Sequence, residues 1–131
     1  MSARRGRATG KGAATVAARP FHYRGRGLRC DGVSLAELAE RHGTPLYVYS
    51  AGQIRHRFGL FQEAFAEREA TVCYAVKANS SLAILRMLAE LGAGFDIVSG
   101  GELERVRRAC GQKNKAALGR VVFSGVGKQK W

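Results

Sequence analysis

The stretch that decides the fold reads TVCYAVKAN and occupies residues 71–79. Its first six residues are β-branched, aromatic or apolar, a composition typical of a β-strand that is covered on both faces. Side chains alternate along a strand, so Cys73, Ala75 and Lys77 are expected to share one face. Tyr74 is expected on the opposite face. The pattern therefore predicts a buried strand with Lys77 at its carboxyl end.

Outward from this strand, helix and strand patterns alternate along the chain. Capping boxes, in which a serine is followed three residues later by Glu or Gln, predict helix starts at Ser34, Ser50 and Ser99. Gly43 and Gly92 are placed to end helices. We predict helices over residues 34–42, 50–68, 81–91 and 99–110, and strands over 46–49, 71–76, 95–98 and 121–123.

This order of elements predicts an α/β fold of parallel strands with right-handed crossovers. Two architectures fit it, an open doubly wound sheet or part of a (β/α)8 barrel, and a complete barrel needs about 250 residues. The chain has 131 residues and stops at Trp131, just after a predicted strand. We therefore expect a truncated protein or gene fragment. Phenylalanines at helical spacing on the second helix are expected in the core: Phe58, Phe61 and Phe65.

The formal net charge of +12 is concentrated at the two ends of the chain. Eight basic residues and no acidic one precede Asp31, and eight more basic residues follow Glu104. Residues 30–104 carry six basic and ten acidic residues. A nucleic-acid-binding domain is expected to carry its basic residues on folded structure, so we expect no specific nucleic-acid partner. A non-enzymatic basic protein that binds nucleic acid through its ends remains an alternative.

The termini and cysteines indicate the compartment. Residues 1–20 contain almost no large apolar side chain, so we expect a disordered basic extension. They are rich in Arg, as in organelle transit peptides, but lack the apolar core of a secretory signal. The longest apolar run is five residues, so no membrane span is expected. Cysteines without metal-ligand spacing favour no metal site and a reducing, cytoplasmic location: Cys30, Cys73 and Cys110.

The predicted position of Lys77 suggests chemistry. Barrels and open α/β sheets place active sites at the carboxyl ends of their strands. A lysine behind an apolar strand is expected to be partly desolvated, which disfavours the ammonium form. A neutral amine is what Schiff-base formation with an aldehyde requires. The alternative is a lysine that merely ends a strand and extends into water, and position alone leaves both open.

Four segments carry a family resemblance: GTPLYVYS (residues 43–50), YAVKAN (74–79), GAGFDIVSGGEL (92–103) and VVFSGVGK (121–128). They resemble the diaminopimelate decarboxylases, members of the fold-type III, alanine-racemase-like group of pyridoxal-phosphate enzymes. The resemblance implies the N-terminal part of a (β/α)8 barrel that binds pyridoxal 5′-phosphate. Residues 21–49 would then be a lead-in segment that packs with a C-terminal β-domain. Residues 50–131 would form the first βα units of the barrel.

The resemblance also implies roles for individual residues. Lys77 matches the family lysine that holds pyridoxal phosphate as a Schiff base. Asp96 matches an acidic residue near that lysine, where it could stabilise the protonated imine. Ala75 and Asn79 are expected to shape the pocket. Residues 99–102 match a loop and helix start at the same barrel mouth, although the helix cap is the preferred interpretation of Ser99 and Glu102.

The implied reaction is the decarboxylation of meso-2,6-diaminopimelate to L-lysine, the last step of lysine biosynthesis. An ornithine- or arginine-type decarboxylase of the same fold is the alternative, because similar YAVKAN strings occur there. The resemblance further implies a homodimer, a small amino-acid substrate and active-site parts that lie beyond Trp131. We therefore expect the 131-residue chain to be inactive on its own.

Overall fold

A computed structural model describes residues 19–126 of the chain. They divide into two compact units, one that extends to Leu46 and one that begins at Tyr47. Nearly all of the predicted basic extension, residues 1–18, lies outside the described residues, as do residues 127–131. Within the described range, no helix has the length and apolar character needed to cross a lipid bilayer.

The first unit is a small antiparallel sheet followed by a helix. Its elements are β1 (Phe21–Arg24), β2 (Gly27–Cys30), β3 (Val33–Ser34) and α1 (Leu35–His42). A two-residue turn at Asp31 and Gly32 joins β2 to β3, and both residues have positive φ, 48° and 85°. An Asp-Gly pair between strands is a strong hairpin signal, and the sequence analysis missed it.

The predicted ends of α1 are confirmed. The Ser34 hydroxyl accepts a hydrogen bond from the Glu37 backbone N–H at 3.4 Å. At the other end, the Gly43 N–H donates to the Ala39 carbonyl at 2.8 Å, with φ of +80° at Gly43. A side chain disfavours this φ, so a glycine ends the helix here at low cost.

The second unit alternates helices with parallel strands. Its elements are α2 (Ala51–Ala64), β4 (Cys73–Ala75), α3 (Leu82–Glu90), β5 (Gly94–Ile97), α4 (Gly100–Cys110) and β6 (Val121–Phe123), with 3₁₀ segments at Val76–Ala78 and Lys115–Arg120. The strands lie in the order β4-β5-β6, and both pairs are parallel. Neighbouring strands follow chain order without reversal, as in a barrel, whereas a doubly wound sheet reverses direction.

The two faces of the parallel sheet have different neighbours. On one face, Phe95 and Ile97 of β5 are buried in a core formed with α3 and α4. Tyr74 packs against the same core, and its partner in the sheet is Phe95. The opposite face carries Ala75 and Asp96, which also pair in register. One face of the sheet therefore stabilises the fold, and the other is available for a site.

Three expectations for α2 and the segment before it are wrong. Residues 46–49 form no strand, because no described residue pairs with them, and Tyr47 is 86% exposed. Helix α2 ends at Ala64 rather than near residue 68, and of the three phenylalanines only Phe58 is buried. Phe61 is exposed because it lines an open apolar groove between α2 and β4, and Phe65 follows the last helical turn.

Leu85 of α3 is fully buried, so we expect Leu85→Ala to lower the free energy of unfolding by about 2–5 kcal/mol through loss of apolar contacts and cavity formation. Leu60→Ala on the exposed side of α2 is the matched control and should cost less than about 0.5 kcal/mol. Urea denaturation followed by circular dichroism measures both. Equal losses for the two variants would contradict the position of the core.

Candidate functional site

Lys77 lies just beyond the strand, not within it. Strand β4 ends at Ala75, and Val76–Ala78 form a single 3₁₀ turn. The strand alternation that placed Lys77 on the face of Ala75 therefore does not apply, because the backbone leaves the extended conformation. Val76 is completely buried in the core, whereas Lys77 is exposed. The expected partial desolvation of Lys77 is wrong for the same reason, but its place at the carboxyl end of β4 is confirmed.

The loop that carries Lys77, residues 76–81, is tied down by three hydrogen bonds. We call it the lysine loop. The Tyr74 hydroxyl donates to the Asn79 carbonyl at 3.1 Å. The Asn79 side-chain oxygen accepts from the Ser81 N–H at 2.9 Å, beside the start of α3. Arg105 of α4 donates from Nη1 to the Ser80 carbonyl at 3.2 Å. Two of these bonds fix the lysine loop, one to the sheet and one to α4, and the third shapes the loop just before α3.

The contributions of Tyr74 and Arg105 were not predicted from the sequence. Tyr74 was expected only on the face opposite Ala75, where its ring packs against the core, and nothing in the strand pattern indicates where its hydroxyl lies. A tyrosine hydroxyl is protonated at neutral pH and can donate, and burial raises the pKa of the Tyr74 hydroxyl further. Arg105 is 25 residues from Ser80 along the chain, a separation at which local patterns carry no signal.

Asp96 lies in the central strand beside the end of β4. Its backbone pairs with Ala75 on one side and Val122 on the other. The Asp96 Oδ1 atom is buried and has no hydrogen-bond partner within the described part of the chain. A buried acceptor without a donor costs about 1–3 kcal/mol. The arrangement therefore suits a ligand that brings a donor or a positive charge to this atom.

Two helices begin at the same edge of the sheet. Helix α3 follows the lysine loop, and α4 follows β5 after Ser99. The Ser99 hydroxyl accepts from the Glu102 N–H at 3.2 Å, and Glu102 Oε2 accepts from the Val98 N–H at 2.8 Å. The interpretation of Ser99 and Glu102 as a helix cap is confirmed. Among the residues that the structure describes, no cluster of three or more potential metal ligands occurs.

Comparison with known proteins identifies the family. A model described as "Pyridoxal-dependent decarboxylase, pyridoxal binding domain" matches residues 51–130. The diaminopimelate decarboxylase of Pseudomonas fluorescens is 54% identical over 110 residues, which are 84% of this chain and 25% of the relative. The diaminopimelate decarboxylase of M. jannaschii, solved in co-complex with L-lysine, superposes with a TM-score of 0.72 at 39% identity, over 83% of this chain and 25% of that one.

The diaminopimelate decarboxylase of Helicobacter pylori, also solved in complex with L-lysine, gives a TM-score of 0.62 at 44% identity. It aligns with 72% of this chain and 23% of its own. The chain thus spans about a quarter of the length of the relatives that it matches.

These matches show that the chain belongs to the pyridoxal-dependent decarboxylase family. Within this family, the curated relatives that it matches are diaminopimelate decarboxylases. Solved structures of that name share its fold, so β4, β5 and β6 are consecutive strands of the pyridoxal-phosphate-binding barrel.

The site residues fit the cofactor of the family, pyridoxal phosphate. The cofactor has an aldehyde, which a lysine amine can bind covalently, and Lys77 is exposed at the carboxyl end of β4. The imine nitrogen that such a bond creates can carry a proton, which suits the unpartnered oxygen of Asp96. Lys77 is two residues beyond Ala75, the residue that pairs with Asp96. Amine and carboxylate therefore belong to the same edge of the sheet.

Gly94 leaves no room for a side chain on the Asp96 face. A Cβ atom there would lie 2.6 Å from both Cys73 Sγ and the Arg120 carbonyl oxygen. We expect Gly94→Ala to lower the free energy of unfolding by about 1–3 kcal/mol, because β4 and β5 must move apart. A Cβ at Gly59, in the middle of α2, would meet nothing within 4 Å. The matched control Gly59→Ala should therefore stabilise by about 0.5–1 kcal/mol.

Thermal and urea denaturation measure both changes, the loss of stability in Gly94→Ala and the gain in Gly59→Ala. A neutral Gly94→Ala variant would contradict the close packing of these two strands.

Proposed function

We propose that this chain supplies the cofactor-binding lysine and the first βα units of an enzyme that decarboxylates meso-2,6-diaminopimelate to L-lysine. Family membership supports the decarboxylase reaction, and the names of the curated relatives support the substrate. The observation that carries the proposal is the exposed amine of Lys77 at the same strand end as the buried, unpartnered oxygen of Asp96.

In this proposal Lys77 binds the cofactor covalently through Nζ. Its exposure leaves the amine accessible to an aldehyde, and the 3₁₀ turn keeps its backbone beside the sheet. Lys77 Nζ would hold the cofactor aldehyde in the absence of substrate, and its four-carbon side chain would keep the amine close to the site. Bound pyridoxal phosphate supplies the electron sink that allows the substrate carboxylate to depart as carbon dioxide.

In this proposal the negatively charged Asp96 would stabilise a positive charge on the bound cofactor. Its carboxylate would accept a hydrogen bond from a protonated nitrogen of the bound cofactor, which would remove the cost of the unpaired Oδ1. A charge-assisted bond of this kind contributes about 1.5–3 kcal/mol. Asp96 can play this part because β5 fixes its backbone between two neighbouring strands.

The partners and location are part of the same proposal. We propose a homodimer for the full-length enzyme, as the family resemblance implies. All three cysteines are free, which suits the reducing cytoplasm. No specific nucleic-acid binding is proposed, because residues 30–104 carry more acidic than basic residues. Within α4, Glu104 pairs with Arg107 at 3.1 Å and with Arg108 at 2.8 Å. Those arginines hold the pKa of Glu104 below its usual value.

The first unit is proposed to pack with a C-terminal β-domain. Its hairpin exposes large apolar side chains that such a domain would cover. They are Phe21 at 42%, Tyr23 at 72% and Val33 at 48% exposed. This assigns residues 21–49 as the lead-in segment and residues 50–131 as the barrel units, after the basic extension of residues 1–20.

Covalent trapping tests the lysine. We expect that borohydride reduction of the purified chain with pyridoxal phosphate adds the cofactor mainly at Lys77, as peptide mass spectrometry would show. Lys77→Ala should lose the label and the visible absorbance band of the bound cofactor. Lys113 and Lys115 are exposed and serve as internal references. Labelling of these two lysines at the same rate as Lys77 would overturn the assignment.

A chimera tests the reaction. Here the 110 matched residues of this chain replace those of the Pseudomonas fluorescens relative, and L-lysine formation from meso-diaminopimelate is assayed. We expect activity in the chimera, none after Lys77→Ala, and a loss of about 10- to 100-fold after Asp96→Asn, which removes a charge-assisted bond. The 131-residue chain alone should form no lysine.

Each arm of the assay can contradict the proposal. An active Lys77→Ala chimera would refute the role of the lysine. Lysine formation by the chain alone would refute its proposed inactivity. Turnover of ornithine or arginine in preference to diaminopimelate would favour the alternative decarboxylases.

A further inference from the structure

The backbone of Lys77 is held between two fixed points. Val76, on one side, is fully buried in the core. Asn79, on the other, offers its carbonyl to the Tyr74 hydroxyl at 3.1 Å. The 3₁₀ turn between these points has three residues and no side-chain cap of its own. Its geometry therefore depends on contacts from outside the turn.

We propose that Tyr74 is a positioning residue for Lys77, and that its hydroxyl, through the Asn79 carbonyl, holds the lysine loop in the conformation that presents the amine to the cofactor. This inference rests on the proposed function of Lys77. The Tyr74 ring packs against the core and pairs in register with Phe95, the residue before Asp96. The same pair of strands therefore sets the positions of the hydroxyl and of the carboxylate.

The position of the Lys77 amine depends on these backbone contacts, because the lysine side chain is not anchored by contacts of its own. No described residue forms a hydrogen bond or ion pair with it, and it is exposed. A lysine side chain has four flexible carbons, and holding it in one rotamer costs up to about 2 kcal/mol of side-chain entropy. The direction in which the amine points is then set mainly by the backbone of the turn. Movement of that backbone would reduce the fraction of time that Nζ faces the cofactor.

The other ties of the lysine loop are weaker candidates for this role. Arg105 reaches Ser80 from an exposed position, where water competes for the hydrogen bond. The bond from the Ser81 N–H to the Asn79 side chain spans two residues, so it shapes the loop without attaching it to the sheet. Within residues 19–126, the Tyr74 hydroxyl supplies the side-chain hydrogen bond that ties the loop back to the preceding strand, and this hydroxyl is partly buried. Water cannot fully replace the hydrogen bond from this hydroxyl.

The test compares Tyr74→Phe with wild type in the 131-residue chain. Phenylalanine keeps the ring in the core and removes only the donor. We expect the ratio of cofactor trapped at Lys77 to that at Lys113 and Lys115 to fall about 2- to 10-fold, the equivalent of one hydrogen bond. The circular dichroism that the protein induces in the visible band of the bound cofactor should weaken. Tyr47→Phe, at a residue that is 86% exposed, is the matched control and should change neither readout.

The outcomes separate positioning from stability. A lower urea midpoint with an unchanged trapping ratio and unchanged visible dichroism would show a merely structural hydroxyl and overturn the inference. 4-Aminophenylalanine at position 74 restores a ring donor, so it should recover the wild-type ratio. It also provides the test if the phenylalanine variant does not fold, and failure to recover the ratio would overturn the inference.

The inference and the proposed function fail in different ways. If Lys77 is trapped no faster than Lys113 and Lys115 in the wild type, the proposed role of Lys77 falls and the inference falls with it. If Lys77 is trapped preferentially and Tyr74→Phe leaves that preference intact, only the inference falls.

Discussion

The parallel pairing of β4 with β5 is the constraint on which the rest of the second unit depends. It places Ala75 beside Asp96 and Tyr74 beside Phe95. Because paired residues in a parallel sheet share a face, this single register assigns one set of side chains to the core and the other to the site. A slip by one residue would exchange the two sets, moving Asp96 into the core. The buried Phe95 opposes such a slip.

The site and the core are therefore built by the same short strands. Val76 is the last core residue of this stretch, and Lys77 is the first residue that leaves it. The chain passes from a buried position to an exposed one within a single 3₁₀ turn. This change gives the lysine access to a ligand while its backbone stays attached to the most buried part of the molecule.

Much of the second unit could be predicted from the sequence because its signals are local. The caps at Ser50 and Ser99 each involve residues three apart, and both form as expected. The predicted strand at residues 46–49 fails because a strand depends on a partner, and a run of apolar residues does not specify one. Phe61 has helical spacing but is exposed, because the spacing of residues along a helix does not show what packs against that helix.

The site was predictable in part. The resemblance in YAVKAN and GFD indicated Lys77 and Asp96, and the structure places both at the carboxyl edge of the sheet, while their roles remain predictions. Strand alternation gave the wrong environment for Lys77, since it assumes that the strand continues. The bond from Tyr74 to Asn79 depends on a side-chain path across a turn, which no periodicity encodes.

The unpartnered oxygen of Asp96 also links ligand binding to the stability of the folded chain. A molecule that donates to Oδ1 binds the folded chain and has no equivalent site in the unfolded one. By mass action, such a molecule raises the unfolding free energy by RT ln(1 + [L]/Kd), about 2.7 kcal/mol at a concentration of 100 Kd. Such a ligand would therefore be coupled to folding, and the loaded chain would unfold less readily than the empty one.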